Sequence, residues 1–250
     1  MIATRFVTAV LLAAGKGERM EGAQAKQFAD LGGEQMFFRP LRTLIGSEYV
    51  DHVVLVLPST GPPSPVPIEN MGFAKIRAYV EGGASRQDSL SRGLKACPKA
   101  TGIVLVHDAA RPLVPLWLVD RVLESLDDSC DGVIPVIPLP DAAKELSPEK
   151  MVTASIERKN IWRAQTPQAS VFSALTKAVE AAEESGLEGE DCSQLLIAAG
   201  YRVRAIEGDQ LNFKITRRED LEMARAVIAG RPPVRSRRRT AFPHIWHHRR

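Results

Sequence analysis

Several short stretches of the 250-residue chain carry side chains suited to holding anions. The first reads Leu12-Ala13-Ala14-Gly15-Lys16-Gly17-Glu18-Arg19-Met20, with Lys26 beyond it. Small residues behind an apolar run let backbone N–H groups approach a phosphate or a base closely. Arg19 offers a planar fork for phosphate oxygens, and Lys26 a compact point charge. The stretch has no GK[ST] at P-loop distance, and Met20 stands where a dinucleotide fingerprint has its third glycine. A glycine turn alone is explained by a tight strand-to-helix connection. A glycine turn backed by two cations points to a triphosphate.

The second stretch is Glu81-Gly82-Gly83-Ala84-Ser85-Arg86-Gln87-Asp88-Ser89. Its glycines expose backbone groups suited to the wall of a base pocket. Ser85 has the chemistry of a helix cap, and Ser89 lies one turn into that helix, facing back. The third is Val106-His107-Asp108-Ala109-Ala110-Arg111-Pro112. A His-Asp pair followed by Arg at a strand end is poorly explained by packing. Asp108 suits a ribose, a metal or a substrate hydroxyl, and Arg111 is either a substrate contact or its structural counter-charge. Further on come Arg158, the run Arg163-Ala164-Gln165-Thr166-Pro167-Gln168, and Asn212-Phe213-Lys214-Ile215-Thr216. A lysine within an apolar stretch, as Lys214 is, should be paired or functional. Thr216 is expected to cap the closing helix, with Glu219 at capping-box spacing.

These stretches need a frame that brings loops together. Apolar runs at Val7–Leu12, His52–Leu57, Lys75–Val80, Ile103–His107, Gly132–Pro135 and Val203–Ile206 read as strands. Helical patterns fall at Met36–Ile45, Arg86–Ala96, Leu116–Ser125, Ser170–Ser185, Ser193–Ala199 and Arg218–Ala229. Strands as continuously apolar as TAVLLAA and HVVLVL are buried on both faces. Their alternation with helices predicts an α/β fold, with a mostly parallel sheet covered on both sides. Ligands then bind beyond the carboxyl ends of the strands, where the three loops above lie. Pro58–Pro67, with five prolines, reads as a surface loop, and Pro138–Arg158, charged and without a clean period, as a protruding arm.

Composition narrows the function classes. Hydrophobic residues make up 44% and charged residues 25%, as in ordinary globular proteins. The net charge of +3 is misleading, because residues 231–250 hold seven arginines and no acid, leaving 26 basic against 30 acidic residues in the first 230. The body is therefore not a nucleic-acid-binding domain by charge, and the basic tail reads as a disordered extension. Three widely spaced cysteines without a CxxC indicate neither a zinc site nor a disulfide framework. A reducing compartment fits them, and a cytoplasmic location is expected. No apolar run is long enough to span a membrane. The opening Arg5-Phe6-Val7-Thr8 reads as the start of a buried strand rather than of a signal peptide.

Taken together, AAGKGERM, AKQF, GGASRQDS, VHDAARP, the arm ending in Arg158, TPQ and NFKITRREDL resemble the 2-C-methyl-D-erythritol 4-phosphate cytidylyltransferase family, from about Thr8 to Ala229. The resemblance implies a Rossmann-like nucleotidyltransferase fold over residues 1–230, with an arm at about 138–158 reaching across a homodimer. It implies CTP and a sugar-alcohol phosphate as partners, and Mg²⁺ held mainly by the CTP phosphates, with no metal-binding side chains assigned. Ala13, Ala14, Gly15, Gly83 and Ser89 would hold cytosine and ribose. Arg19 and Lys26 would stabilise the transition state, while Arg158 and Lys214 position the sugar phosphate. Asp108, Ala109, Arg111 and Thr166 would complete the contacts to ribose, the magnesium environment and the second substrate.

In such a reaction a phosphate monoester attacks the α-phosphorus and expels pyrophosphate, so what is needed is positive charge rather than a strong base. A body holding two histidines, His52 and His107, is consistent with that. Two positions depart from the family pattern: Ala25 precedes the expected catalytic lysine in place of Pro, and Ala142 follows Asp141 in place of Thr. The chain is also too short to add the fused cyclase domain of some relatives. Ala142 keeps a ribitol-5-phosphate cytidylyltransferase open as an alternative. A catalytically weak nucleotide-binding protein and a nucleic-acid-binding role of the tail are the others.

Overall fold

A computed structural model describes residues 5–15, 28–59 and 74–230. Arg19, Lys26, most of the Pro58–Pro67 stretch and the basic tail lie outside the described residues. The main sheet runs in the order β10-β5-β9-β4-β1-β2-β3, with β8 added on β5. Its strands are β1 (Phe6–Leu12), β2 (His52–Leu57), β3 (Ile76–Glu81), β4 (Thr101–Asp108), β5 (Gly132–Pro138), β8 (Trp162–Ala164), β9 (Gln168–Val171) and β10 (Val203–Glu207). The pairs of β1 with β2 and β4, β2 with β3 and β5 with β10 are parallel; β9 runs antiparallel to β4 and β5, and β8 to β5.

Side-chain alternation sorts the sheet into two cores. Val7, Ala9 and Leu11 of β1, with Val53 and Leu55 of β2, face helices α1 (Phe38–Gly46) and α3 (Leu116–Glu124). Val10, Val54, Val56, Val104 and Val106 face α2 (Arg86–Lys95), α4 (Phe172–Ser185) and α5 (Cys192–Ala198). The buried strands demanded by the continuous apolar runs are therefore covered on both faces. A third cluster, built on Leu31, Met36, Leu113, Ile215 and Leu221, seats α6 (Arg218–Gly230) against residues 28–36.

Three expectations need correction. The predicted helix Ser170–Ser185 begins two residues late, because Gln168–Val171 is drawn into the sheet between β4 and β5. Residues 138–158, without a clean period in sequence, form an ordered, exposed hairpin of β6 (Ala143–Leu146) and β7 (Val152–Ile156), followed by a short 3-10 turn at Arg158–Asn160. At the start of α6 the acid that caps is Asp220, not Glu219: its Oδ2 accepts from the backbone N–H groups of Thr216 and Arg217 and from the Thr216 hydroxyl. Asp220 is third in the helix, so its carboxylate reaches back to the backbone N–H groups of the two residues just before the first turn.

Candidate active site

β1 leads on one side to β2 and β3, and the chain then crosses back to place β4 on the other side of β1. That reversal opens a crevice at the carboxyl ends of β1 and β4, where Leu12 pairs with Asp108. A cleft of about 200 Å³ occupies it, lined among others by Ala13, Ala14, Gly15, Gly83, Ser89, Asp108, Ala109 and Lys214. Eight of the residues singled out in the sequence thus meet in one place, from loops after β1, β3 and β4 and from the segment before α6.

The glycine wall is fixed before any ligand arrives. Ser85 caps α2 by accepting from the Asp88 N–H at 3.0 Å, and Asp88 returns the contact to the Ser85 N–H. The Ser89 hydroxyl accepts from the Gly83 N–H at 3.1 Å, and Gly82 donates to the Leu57 carbonyl. A Cβ on Gly82 would collide with Ala14, and one on Gly83 with Asp88. Close approach of the first two loops therefore requires Gly82, and the tight turn onto the start of α2 requires Gly83.

Asp108 is the electrostatic centre. Its Oδ1 accepts from Nε and Nη2 of Arg86 at 3.2 and 3.1 Å, and its Oδ2 from Nζ of Lys214 at 2.9 Å. Burial works against its charge, but Arg86 and Lys214 outweigh it and hold the carboxyl far below the usual range. Lys214 is thus paired, as a lysine in an apolar stretch should be, yet its side chain is 39% exposed toward the cleft.

Behind Asp108 lies a hydrogen-bonded polar layer. Asp108 N–H donates to the Thr166 hydroxyl at 3.1 Å, which sits 3.0 Å from Nδ1 of His107. Nε2 of His107 lies 3.2 Å from the Arg111 carbonyl, which can only accept, so Nε2 carries the proton and Thr166 donates to Nδ1. Burial pushes the His107 pKa down to about 4, leaving a neutral imidazole. Arg111 does not line the cleft. Its Nη1 donates to the Asn212 carbonyl and its Nη2 to the Ala164 carbonyl. Gln165 donates to the carbonyls of Asp209 and Asn212, and Asn212 to that of Thr166. Gly208 N–H bonds to Val136 and Ile215 N–H to Ala110. Residues 208–215 are in this way strapped across the sheet top from the edge strand β10 to Asp108.

The expectations for Arg111, Thr166 and Arg158 as direct ligands find no counterpart in the cleft lining of one chain. Arg111 and Thr166 support it from behind. Arg158 sits on the arm, bonded to the Pro140 carbonyl. Conversely, Arg86 lines the cleft and was not singled out by sequence. A signal existed: a cation at the first position of a helix faces the unfavourable end of the macrodipole and needs an acid nearby. Gln165 gave no such signal.

A mostly parallel sheet with a crevice at its switch point, walled by glycines and edged by cations, defines a Rossmann-like nucleotidyltransferase. The family model of 2-C-methyl-D-erythritol 4-phosphate cytidylyltransferase matches residues 7–230, and the chain belongs to that family. It is 37% identical over 227 residues to the enzyme of that name from Geobacillus thermodenitrificans, covering 89% of this chain and 97% of that protein. To its namesake in Geobacter metallireducens it is 34% identical over 232 residues, covering 91% and 99%. The crystal structure of the Thermus thermophilus enzyme superposes with a TM-score of 0.73 at 33% identity, over 88% of this chain and 98% of that one.

Proposed function

We propose that the chain transfers CMP from CTP to 2-C-methyl-D-erythritol 4-phosphate, giving 4-diphosphocytidyl-2-C-methyl-D-erythritol and pyrophosphate. The observation that carries the reading is the cleft itself: a preformed glycine wall faces an exposed ammonium held by a buried carboxylate. Ala13, Ala14, Gly15, Gly83 and Ser89 receive the cytidine. The Ser89 oxygen already accepts from Gly83, so its own proton is left for the base.

A phosphate oxygen of the second substrate attacks the α-phosphorus, one P–O bond forms, and the bond to pyrophosphate breaks. No proton has to be removed, in keeping with a His107 whose single proton is already committed. Lys214 holds the attacking phosphate. Arg19 and Lys26 offset the charge growing on the leaving group, each being worth about 3–4 kcal/mol of barrier in sites of this kind. Among the described residues lining the cleft Asp108 is the sole acid, and both its oxygens are engaged by cations. That donor set suits Mg²⁺ held mainly by substrate phosphates rather than by a protein cage. When bound, the ion would neutralise charge shared by the reacting phosphates.

Arg158 enters through a second copy of the chain. The hairpin β6–β7 is exposed along nearly its whole length, and Leu146, Met151, Val152, Ile156, Ile161 and Trp162 present apolar side chains to solvent. A lone two-stranded hairpin is marginal in water, and such a surface marks an interface. We read it as the homodimer contact that carries Arg158 to the partner's cleft, in a cytoplasmic enzyme. Among the described residues no helix is long and apolar enough to cross a membrane.

The deciding experiment measures CTP-dependent pyrophosphate release with methylerythritol phosphate and with ribitol 5-phosphate. Release with the first is expected. Release only with the second would assign the alternative that Ala142 keeps open, and CTP binding without release from either would identify a nucleotide-binding protein.

A further inference from the structure

We propose that Arg86 is a positioning residue for the second substrate: by occupying Oδ1 of Asp108 it leaves only Oδ2 to Lys214, and so keeps the ammonium available for an incoming phosphate. The inference rests on the reading of Lys214 as a phosphate ligand and adds the residue through which that ligand is tuned.

Asp108 is only 7% exposed, so its charge must be matched by what surrounds it. Two donors of Arg86 converge on one oxygen and one donor of Lys214 takes the other. The trio carries net charge +1. Without Arg86 the remaining pair is neutral, and the carboxylate is free to turn both oxygens on Lys214. The ammonium would then be spent inside the protein instead of facing the cleft. The backbone that carries Arg86 is held on both sides. The Ser85–Asp88 capping box sets the helix start, and the next residue, Gln87, bonds to the Leu187 carbonyl and the Gly189 N–H. The Cys192 thiol lies beside the guanidinium, where burial pushes the thiol up to about 11 and the cation pulls against that shift. A cation at a helix N-terminus is disfavoured by the macrodipole, so its placement is explained by Asp108 rather than by the helix.

Steady-state pyrophosphate release by the full chain, varying each substrate in turn, tests this. Arg86→Gln should raise KM for the sugar phosphate about tenfold or more, the scale of a lost charge-assisted contact, while KM for CTP stays within about threefold. Because Arg86 acts through Lys214, the double variant Arg86→Gln/Lys214→Gln should bind the sugar phosphate no worse than Lys214→Gln alone. An unchanged sugar-phosphate KM in Arg86→Gln, an additive double variant, or an equal loss for CTP would overturn the proposal. If Lys214→Gln alone leaves that KM unchanged, the assignment of Lys214 is what fails, and this inference falls with it. Should Arg86→Gln not fold, Arg86→Lys keeps the charge but cannot set two donors on one oxygen. It should still raise the same KM about threefold, and a wild-type value would overturn the proposal.

Discussion

At the scale of single residues, the cleft depends on one carboxylate being charged. Asp108→Ala would leave Arg86 and Lys214 without their counter-charge. Because Lys214 is partly exposed, the loss should be nearer about 2–3 kcal/mol than the larger values of fully buried pairs, read as a lower urea midpoint at unchanged slope. Lys214→Ala should raise the sugar-phosphate KM well above its effect on CTP, and a matching loss for both substrates would contradict the assignment. His107 sets a pH dependence of its own. Its folded pKa of about 4 lies below the ordinary 6.5. Between those values the unfolded chain binds a proton that the native one refuses, so stability is full above pH 6.5 and declines as pH falls toward 4. The effect is on the order of 3 kcal/mol across that window. Thermal melts from pH 7 to 4.5 should show the decline, and His107→Asn should flatten it.

Among elements, the parts readable from sequence were those with one dominant physical signal. The buried strands, the Ser85 cap and the loops meeting at the crevice all follow from apolar continuity, side-chain chemistry and the rule for parallel sheets. What escaped was decided by distant partners. β9 is four residues long, and nothing local distinguishes QASV from the first turn of the helix it precedes; its pairing with β4 and β5 does. Thr216 and Glu219 match a capping box by spacing, yet the helix begins at Arg218, so Asp220 takes the role. Arg111 reads as a substrate contact or a counter-charge from its place beside Asp108, and only the folded chain shows its fork bonded to the Asn212 and Ala164 carbonyls. The glycine wall yields a further prediction. Gly82→Ala must push Ala14 away, and overpacking of this kind costs about 1–3 kcal/mol. KM for CTP should rise about tenfold with little change in that for the sugar phosphate; equal binding would show that the two loops yield freely.

For the whole molecule, the proposed service of Arg158 to a partner's cleft makes the arm a testable dimer contact. Sedimentation should show a dimer for the native chain, and Trp162→Asp with Met151→Asp should shift it to monomer. If the arm delivers Arg158 in trans, that monomer should keep CTP binding but lose most turnover. A fully active monomer would assign the hairpin another purpose. The strap over the sheet has an architectural corollary. The lysine it bears owes its address to a ribbon that packs on neither face of the sheet, fastened by carbonyls and amides and seated by Ile215 in the third cluster. A nick just after Glu207 would free one end of that ribbon, while the bonds from Gln165, Arg111 and Ile215 hold the rest. The placement of the ammonium thus rests on several separate bonds rather than on chain continuity alone.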